Sequence, residues 1–180
     1  MNVLTRLQQS LPAVLKWIDA TLEQHRANEV AVSTLGFQRL ARHFPQPLLD
    51  EARVAVVDKI PIPPLAALGL PELSQFETLD LAGITYKDTF YVNAPKRSEA
   101  LHFHELVHVV QWKRLGEEKF LFAYGAGLIR CGYENSPLEQ MAGALQYDFE
   151  RDTLGANLVE AIQSRTDAIW NGVAPLLSGL

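Results

Sequence analysis

Residues 101–116 read LHFHELVHVVQWKRLG and place chemically active side chains inside an apolar run. His104 and His108 are four residues apart, and Glu105 directly follows the first histidine. On an α-helix, side chains four positions apart lie on one face, so two imidazoles can direct nitrogen atoms at one metal ion. Glu105 is rotated by about 100° from His104, which lets it reach a water on that ion without ligating it. The spacing therefore predicts two zinc ligands and a general base.

The residues around this motif predict a buried helix. Apolar residues such as Leu101 and Leu106 occupy most of its sides, Ser98 is a suitable N-cap, and Gly116 is a suitable end. We therefore expect a helix from Glu99 to about Leu115. Buried polar groups without partners cost several kcal/mol, so the motif needs a partner, and a metal ion is one. The alternative is a purely structural helical protein whose histidines and glutamate have no metal.

A catalytic zinc site needs a third protein ligand and an open position for water. Cys131 is a candidate, but sites of this class more often use an oxygen atom or a third histidine, and the position six residues after His108 is Arg114. Glu134 and Glu139 offer carboxylates further along the chain. We expect Glu139 to be the ligand, because it lies in the first turn of a predicted helix, whereas Glu134 precedes that helix in a loop.

Glu139 also has a structural interpretation. Ser136, Pro137 and Glu139 match a capping box, in which a serine at the N-cap and a glutamate three residues later satisfy each other's backbone N–H groups. Both roles remain open at this point, and we favour the metal ligand.

Taken together, the HELVH and NSPLEQMA segments, at 104–108 and 135–142, resemble the zincin metallopeptidases of the Glu-ligand branch, the gluzincins. HELVHVVQW is also similar to small, uncharacterised bacterial domains regarded as metallopeptidases. The resemblance spans residues 84–150. It implies one zinc ion per chain on His104, His108 and Glu139, with Glu105 as base and proton shuttle.

The resemblance also raises expectations about the surroundings of the site. It implies that a strand before the active-site helix lines the substrate cleft, which matches a predicted hairpin at 84–92. Many gluzincins have an acidic residue four positions after the glutamate ligand, where it bonds a ligand histidine, but here that position is Gly143. Asp148 and Glu150 are the nearest carboxylates in sequence that could replace it.

Hydrolysis of an amide needs a hydrogen-bond donor for the developing oxyanion. We expect Tyr133 to be this donor, with Tyr124 as the other tyrosine in range. His102 is two residues from His104 and therefore faces away on a helix.

The order of the elements predicts an α+β, zincin-like fold with a small mixed or antiparallel sheet. We expect a single domain over residues 1–180, with N-terminal helices at 1–50, strands and a hairpin at 53–93, and a helical metal-site region at 98–180. Within it, Pro12 is expected to interrupt the first helix or begin a second one.

Composition excludes several classes of protein. The formal net charge is −5 with no basic stripe, which argues against nucleic-acid binding, and one cysteine excludes an internal disulfide. The apolar N-terminal positions are interrupted by charges, unlike a signal peptide, and no run is long enough for a membrane span. We therefore expect a cytoplasmic protein.

The expected function is a zinc-dependent metallopeptidase or amide hydrolase that acts on a peptide or protein substrate. The alternative is a zincin-like metal-binding module with a regulatory or partner-binding role and no hydrolysis. Neither the substrate nor the oligomeric state follows from the sequence.

Overall fold

A computed structural model of the protein describes residues 2–178 and shows an α+β architecture in which helices predominate. The helices within this range are α1 (Val3–His25), α2 (Gln38–His43), α3 (Gln46–Glu51), α4 (Glu99–Leu115), α5 (Glu117–Cys131), α6 (Pro137–Glu150), α7 (Leu158–Val173) and α8 (Pro175–Ser178). The strands are β1 (Val30–Ala31), β2 (Arg53–Val57), β3 (Gly83–Tyr86) and β4 (Thr89–Asn93). Short 3-10 turns occupy Arg26–Asn28, Val32–Leu35, Pro71–Thr78 and Ala94–Lys96.

The four strands form one mixed sheet in the order β1-β2-β4-β3. β3 and β4 are the predicted hairpin, paired antiparallel with Thr85 opposite Phe90, and Lys87 takes a left-handed conformation in its turn. β2 runs parallel to β4 with Val54 opposite Phe90, and β1 is antiparallel to β2. The small mixed sheet, with β3 at one edge, confirms the predicted α+β class.

Helix α4, which carries the HELVH motif, is the central helix of the fold. The Ser98 side chain accepts a hydrogen bond from the Leu101 N–H at 3.1 Å, and the helix ends at Gly116, whose φ is 75°. Both ends lie where the sequence predicted them. Strands β3 and β4 pack on one side of α4, and α5, α6 and α7 pack on the others. Most of the helix is therefore buried, as its apolar surroundings indicated.

Two clusters of buried apolar side chains meet at α4. The first involves α1, the segment between β2 and β3, and α5, and it includes Trp112 of α4. The second involves α2, α3, α6 and α7, and it includes Phe103 and Leu106 of α4. The polar residues of the motif thus lie on a helix with apolar packing on both sides. None of the helices within residues 2–178 combines the length and the apolarity needed to cross a lipid bilayer.

One expectation about the helices was wrong, and one helix was not predicted. Helix α1 continues through Pro12, because Pro12 and Gln8, whose carbonyl loses its helical N–H partner to the proline, are both on the exposed side. Helix α6 ends at Glu150, and Asp152 just after it takes a positive φ of 54°. Helix α5 was not predicted, because Gly125 and Gly127 weaken its helical pattern.

Candidate metal centre

The side chains of His104, His108 and Glu139 converge on one point between α4 and the first turn of α6. The Nε2 atoms of the two histidines are 3.1 Å apart. Glu139 Oε2 lies 3.3 Å from His104 Nε2, and Glu139 Oε1 lies 3.5 Å from His108 Nε2. All three side chains offer a ligand atom within 4.8 Å of the others. The two histidines four residues apart and the carboxylate from the first turn of α6 are therefore brought together.

Glu139 faces the histidines and not the helix cap. Ser136 is the N-cap residue of α6, but its side chain makes no capping hydrogen bond. The backbone N–H of Ser136 donates to the Tyr133 carbonyl at 3.1 Å and not to the Glu139 side chain. The two hydrogen bonds that define a capping box are therefore both missing. Glu134 and Cys131, the other candidates for a third ligand, are exposed and are not members of the cluster.

Gln111 orients His108 from within the same helix. Gln111 Oε1 lies 2.8 Å from His108 Nδ1, and Gln111 Nε2 donates to the Leu138 carbonyl at 3.2 Å. Because an amide oxygen only accepts, Nδ1 of His108 carries the proton, and Nε2 is the nitrogen that faces the cluster. Gln111 is fully buried. It therefore fixes the imidazole and also ties α4 to the residue next to Glu139.

Two other buried hydroxyl groups hold the carboxylates. The Tyr124 hydroxyl of α5 donates to Glu139 Oε1 at 2.5 Å. The Thr85 hydroxyl of β3 donates to Glu105 Oε2 at 2.7 Å. Gly83 of the same strand lies directly against Glu105, since a Cβ atom at this position would be 2.4 Å from Glu105 Oε1. Strand β3 thus positions Glu105, the proposed base, through the Thr85 hydroxyl and through the absence of a side chain at Gly83.

His104 has no comparable orienting partner. Its Nδ1 atom is buried, and residues 2–178 provide no hydrogen-bond acceptor for it. Gly143 is exposed and has open space around it, while Asp148 accepts from the Thr153 hydroxyl and Glu150 is exposed. Neither Asp148 nor Glu150, the carboxylates considered as replacements for position 143, therefore reaches His104. Of the two candidate ligand histidines, His108 is the one whose Nδ1 atom has a hydrogen-bond partner.

Burial and mutual attraction together shift the pKa values of the cluster. Burial alone lowers the pKa of His108, but the Glu139 carboxylate outweighs this effect and raises it to about 9. Burial alone raises the pKa of Glu139, but the two imidazoles hold it well below its usual range. The metal-free centre is therefore an imidazolium–carboxylate pair at neutral pH. A cation bound here would take the place of the proton on His108.

Glu105 is buried beside this pair, with only 2% of its surface exposed. Burial is the largest influence and raises its pKa, while the charges of His104 and His108 act in the opposite direction. A carboxylate with a raised pKa is a stronger base than one in water. Glu105, His104, His108 and Glu139 also line the same cavity, so the base and the candidate ligands face a shared space.

Tyr133 lies in the wall of that cavity. Burial, followed by the nearby Glu139 charge, raises its pKa above the ordinary value, so its phenol keeps its proton at neutral pH. His102 points away from the cluster, because its ring hydrogen-bonds the Ser98 carbonyl at 2.6 Å and packs against Phe37. The expected direction of His102 is thus confirmed.

The donor set and its spacing fit a divalent metal ion. Two ligand atoms at about 2.0–2.1 Å from one zinc ion in tetrahedral geometry are about 3.3 Å apart. The Nε2 atoms of the two histidines are 3.1 Å apart, and they lie 3.3 and 3.5 Å from two different oxygens of the Glu139 carboxylate. Two imidazole nitrogens and one carboxylate are also a known ligand set of catalytic zinc. The residues could therefore hold one divalent metal ion.

The contacts by which Gln111, Tyr124, Thr85 and Gly83 position the side chains of the centre were not predicted from the sequence. A signal existed for Gln111, which is three residues after His108 and thus on the same helix face. Comparisons of the chain with protein-family models, with curated proteins and with solved structures found no match.

Proposed function

We propose that this protein is a zinc-dependent hydrolase of peptide or other amide bonds, with a zincin-like active site. The observation that carries the proposal is the convergence of His104, His108 and Glu139 at separations suited to one zinc ion, next to the buried carboxylate of Glu105. A zinc ion in this position would lower the pKa of water and polarise a carbonyl oxygen.

Glu105 has the position and the environment of a general base. The Thr85 hydroxyl occupies its Oε2 atom, which leaves Oε1, above Gly83, to accept a proton from the attacking water. The raised pKa allows Glu105 to hold that proton and then to donate it to the leaving nitrogen. No other carboxylate is needed for the two proton transfers.

Tyr133 is the proposed donor to the carbonyl oxygen as negative charge develops there. The Tyr124 hydroxyl is already committed to Glu139. Tyr133 lines the cavity, and its raised pKa keeps the hydroxyl protonated and able to donate. A hydrogen bond with Glu139 is the smallest of the influences on the pKa of Tyr133, whereas the Tyr124 hydroxyl donates directly to that carboxylate. We therefore favour Tyr133 over Tyr124 for this role.

The decisive experiment separates metal binding from hydrolysis. In Glu105→Gln we expect zinc content, measured by mass spectrometry, to remain near one ion per chain, while hydrolysis of a peptide library falls by about 10²–10⁴-fold. His108→Ala should lose the metal. The matched control is Glu134→Gln, which changes an exposed glutamate and should retain both metal and activity. Full zinc occupancy in His108→Ala would refute the proposal.

A second candidate is a metal-binding module without hydrolysis. The burial of the centre favours it, since His108 and Glu139 are only 4% and 9% exposed and His104 Nδ1 has no partner within residues 2–178. Zinc binding by the unmodified protein with no hydrolysis of any library peptide, and with no difference from Glu105→Gln, would support this role.

A further inference from the structure

A cavity of about 80 Å³ adjoins the candidate metal centre. His104, Glu105, His108 and Glu139 form part of its lining, and the apolar side chains of Leu7, Leu11, Val14 and Ile18 from α1 contribute another part. The segment between β2 and β3, together with α5, completes the wall. Any group held in this space therefore lies next to the proposed base and ligands.

Away from the metal centre and Tyr133, the polar side chains in the wall are already engaged. The Thr85 hydroxyl is bonded to Glu105, the Tyr86 hydroxyl donates to the Pro61 carbonyl at 2.7 Å, and the Trp112 indole donates to the Thr85 carbonyl at 3.2 Å. An occupant with its own polar group would lose hydration without gaining a partner here. The cavity thus selects a hydrocarbon group.

The volume limits the size of this group. A cavity of about 150 Å³ holds benzene, so a space of about 80 Å³ accepts on the order of three or four carbon atoms. Building on the proposed function, we infer that the substrate carries a short, unsubstituted aliphatic group beside the scissile amide and that this cavity binds it. Longer, aromatic or hydroxylated groups are disfavoured in this position.

The test uses the zinc-loaded protein and a series of straight-chain hydroxamates from acetohydroxamate to octanohydroxamate. Hydroxamates ligate zinc, so differences in affinity along the series, measured by calorimetry, show the contribution of the alkyl chain without requiring turnover. We expect the affinity of the hydroxamate to rise about fourfold per added methylene until the alkyl chain has about four carbon atoms. The affinity should then level off or fall. 4-Hydroxybutyrohydroxamate should bind at least tenfold more weakly than butyrohydroxamate.

Matched variants test whether the dependence on chain length arises in this cavity. Leu11→Ala removes three carbons from the cavity wall and should move the optimum to chains about three carbons longer. Leu40→Ala removes the same atoms from a buried leucine in the other apolar cluster and should leave the optimum unchanged. If Leu11→Ala does not fold, Val14→Ala serves the same purpose with a smaller shift.

The outcomes distinguish the two proposals. Failure of acetohydroxamate to bind the zinc-loaded protein overturns the proposed function and this inference with it. Binding of acetohydroxamate with no dependence on chain length, or with affinity that still rises at octanohydroxamate, overturns the inference alone. An optimum that shifts equally in Leu40→Ala would also overturn it.

Discussion

Gln111 allows the clearest test of how the centre is held together. Its amide oxygen accepts from His108 Nδ1 at 2.8 Å, and its amide nitrogen donates to the Leu138 carbonyl at 3.2 Å. Gln111→Met keeps a flexible, unbranched side chain of similar volume but removes both hydrogen bonds. We expect the variant to bind zinc more weakly, because the His108 imidazole loses the contact that fixes its orientation and tautomer.

The size of the effect follows from the two contacts. Loss of a hydrogen-bond partner of a metal-ligating histidine costs about 10–100-fold in metal affinity, equivalent to about 1.4–2.7 kcal/mol. Each buried group left without a partner also destabilises the folded protein by about 1–3 kcal/mol. Because the Leu138 carbonyl and the His108 N–H are both affected, Gln111→Met should be less stable with or without zinc.

Zinc affinity is measured by competition with a fluorescent chelator, and the His108 tautomer by long-range ¹H–¹⁵N NMR. The matched control is Thr166→Val, which removes a buried 2.7 Å hydrogen bond to the Ile162 carbonyl in α7. This variant should lose stability but keep its zinc affinity. A Gln111→Met affinity within threefold of the unmodified protein, or an equal loss in Thr166→Val, would refute the assigned role.

Two further predictions concern the base and the proton balance. Gly83→Ala places a Cβ 2.4 Å from Glu105 Oε1, so hydrolysis should fall at unchanged zinc content, whereas Gly143→Ala, which meets no atom within 4 Å, should leave activity unchanged in the same assay. In the metal-free protein, Glu139 overcomes the effect of burial and raises the pKa of His108 from 6.5 to about 9. The charged His108 imidazole therefore stabilises the folded protein fully below pH 6.5, and this contribution is lost as the pH rises towards 9. Urea unfolding at a series of pH values measures the loss. Zinc affinity should change oppositely and rise up to about tenfold per pH unit over this window, because binding displaces the proton; a pH-independent affinity would contradict this explanation.

Several local elements of the fold followed from the sequence. The strand at Arg53–Val57, the hairpin and the whole of α4 occur where β-branched runs and capping residues indicated them. The parallel pairing of β2 with β4 was not predictable in the same way, because 31 residues separate the strands, from position 58 to position 88, and contain no regular α-helix. The choice between antiparallel and parallel neighbours there depends on tertiary packing.

The candidate ligand set could be inferred from the sequence, whereas the residues that support it could not. His104, His108 and Glu139 have residue types and spacings that are restricted by metal chemistry. Thr85 and Gly83 are ordinary strand residues, and they meet Glu105 only because β3 packs along α4. Contacts of this kind arise from the arrangement of elements, so no local pattern in the sequence identifies them.

The burial of the centre argues that it is kept for a purpose other than stability. Apolar side chains of similar volume can replace a buried ion pair with little or no loss of stability, and often with a gain. Yet His108, Glu139 and Glu105 lie between two apolar clusters, where desolvation opposes the charge of each of them. Gln111, Tyr124 and Thr85 hold these three groups in place. Such a set of perturbed, oriented groups around a shared cavity is typical of a reaction centre, and it is what an apolar core of the same shape could not provide.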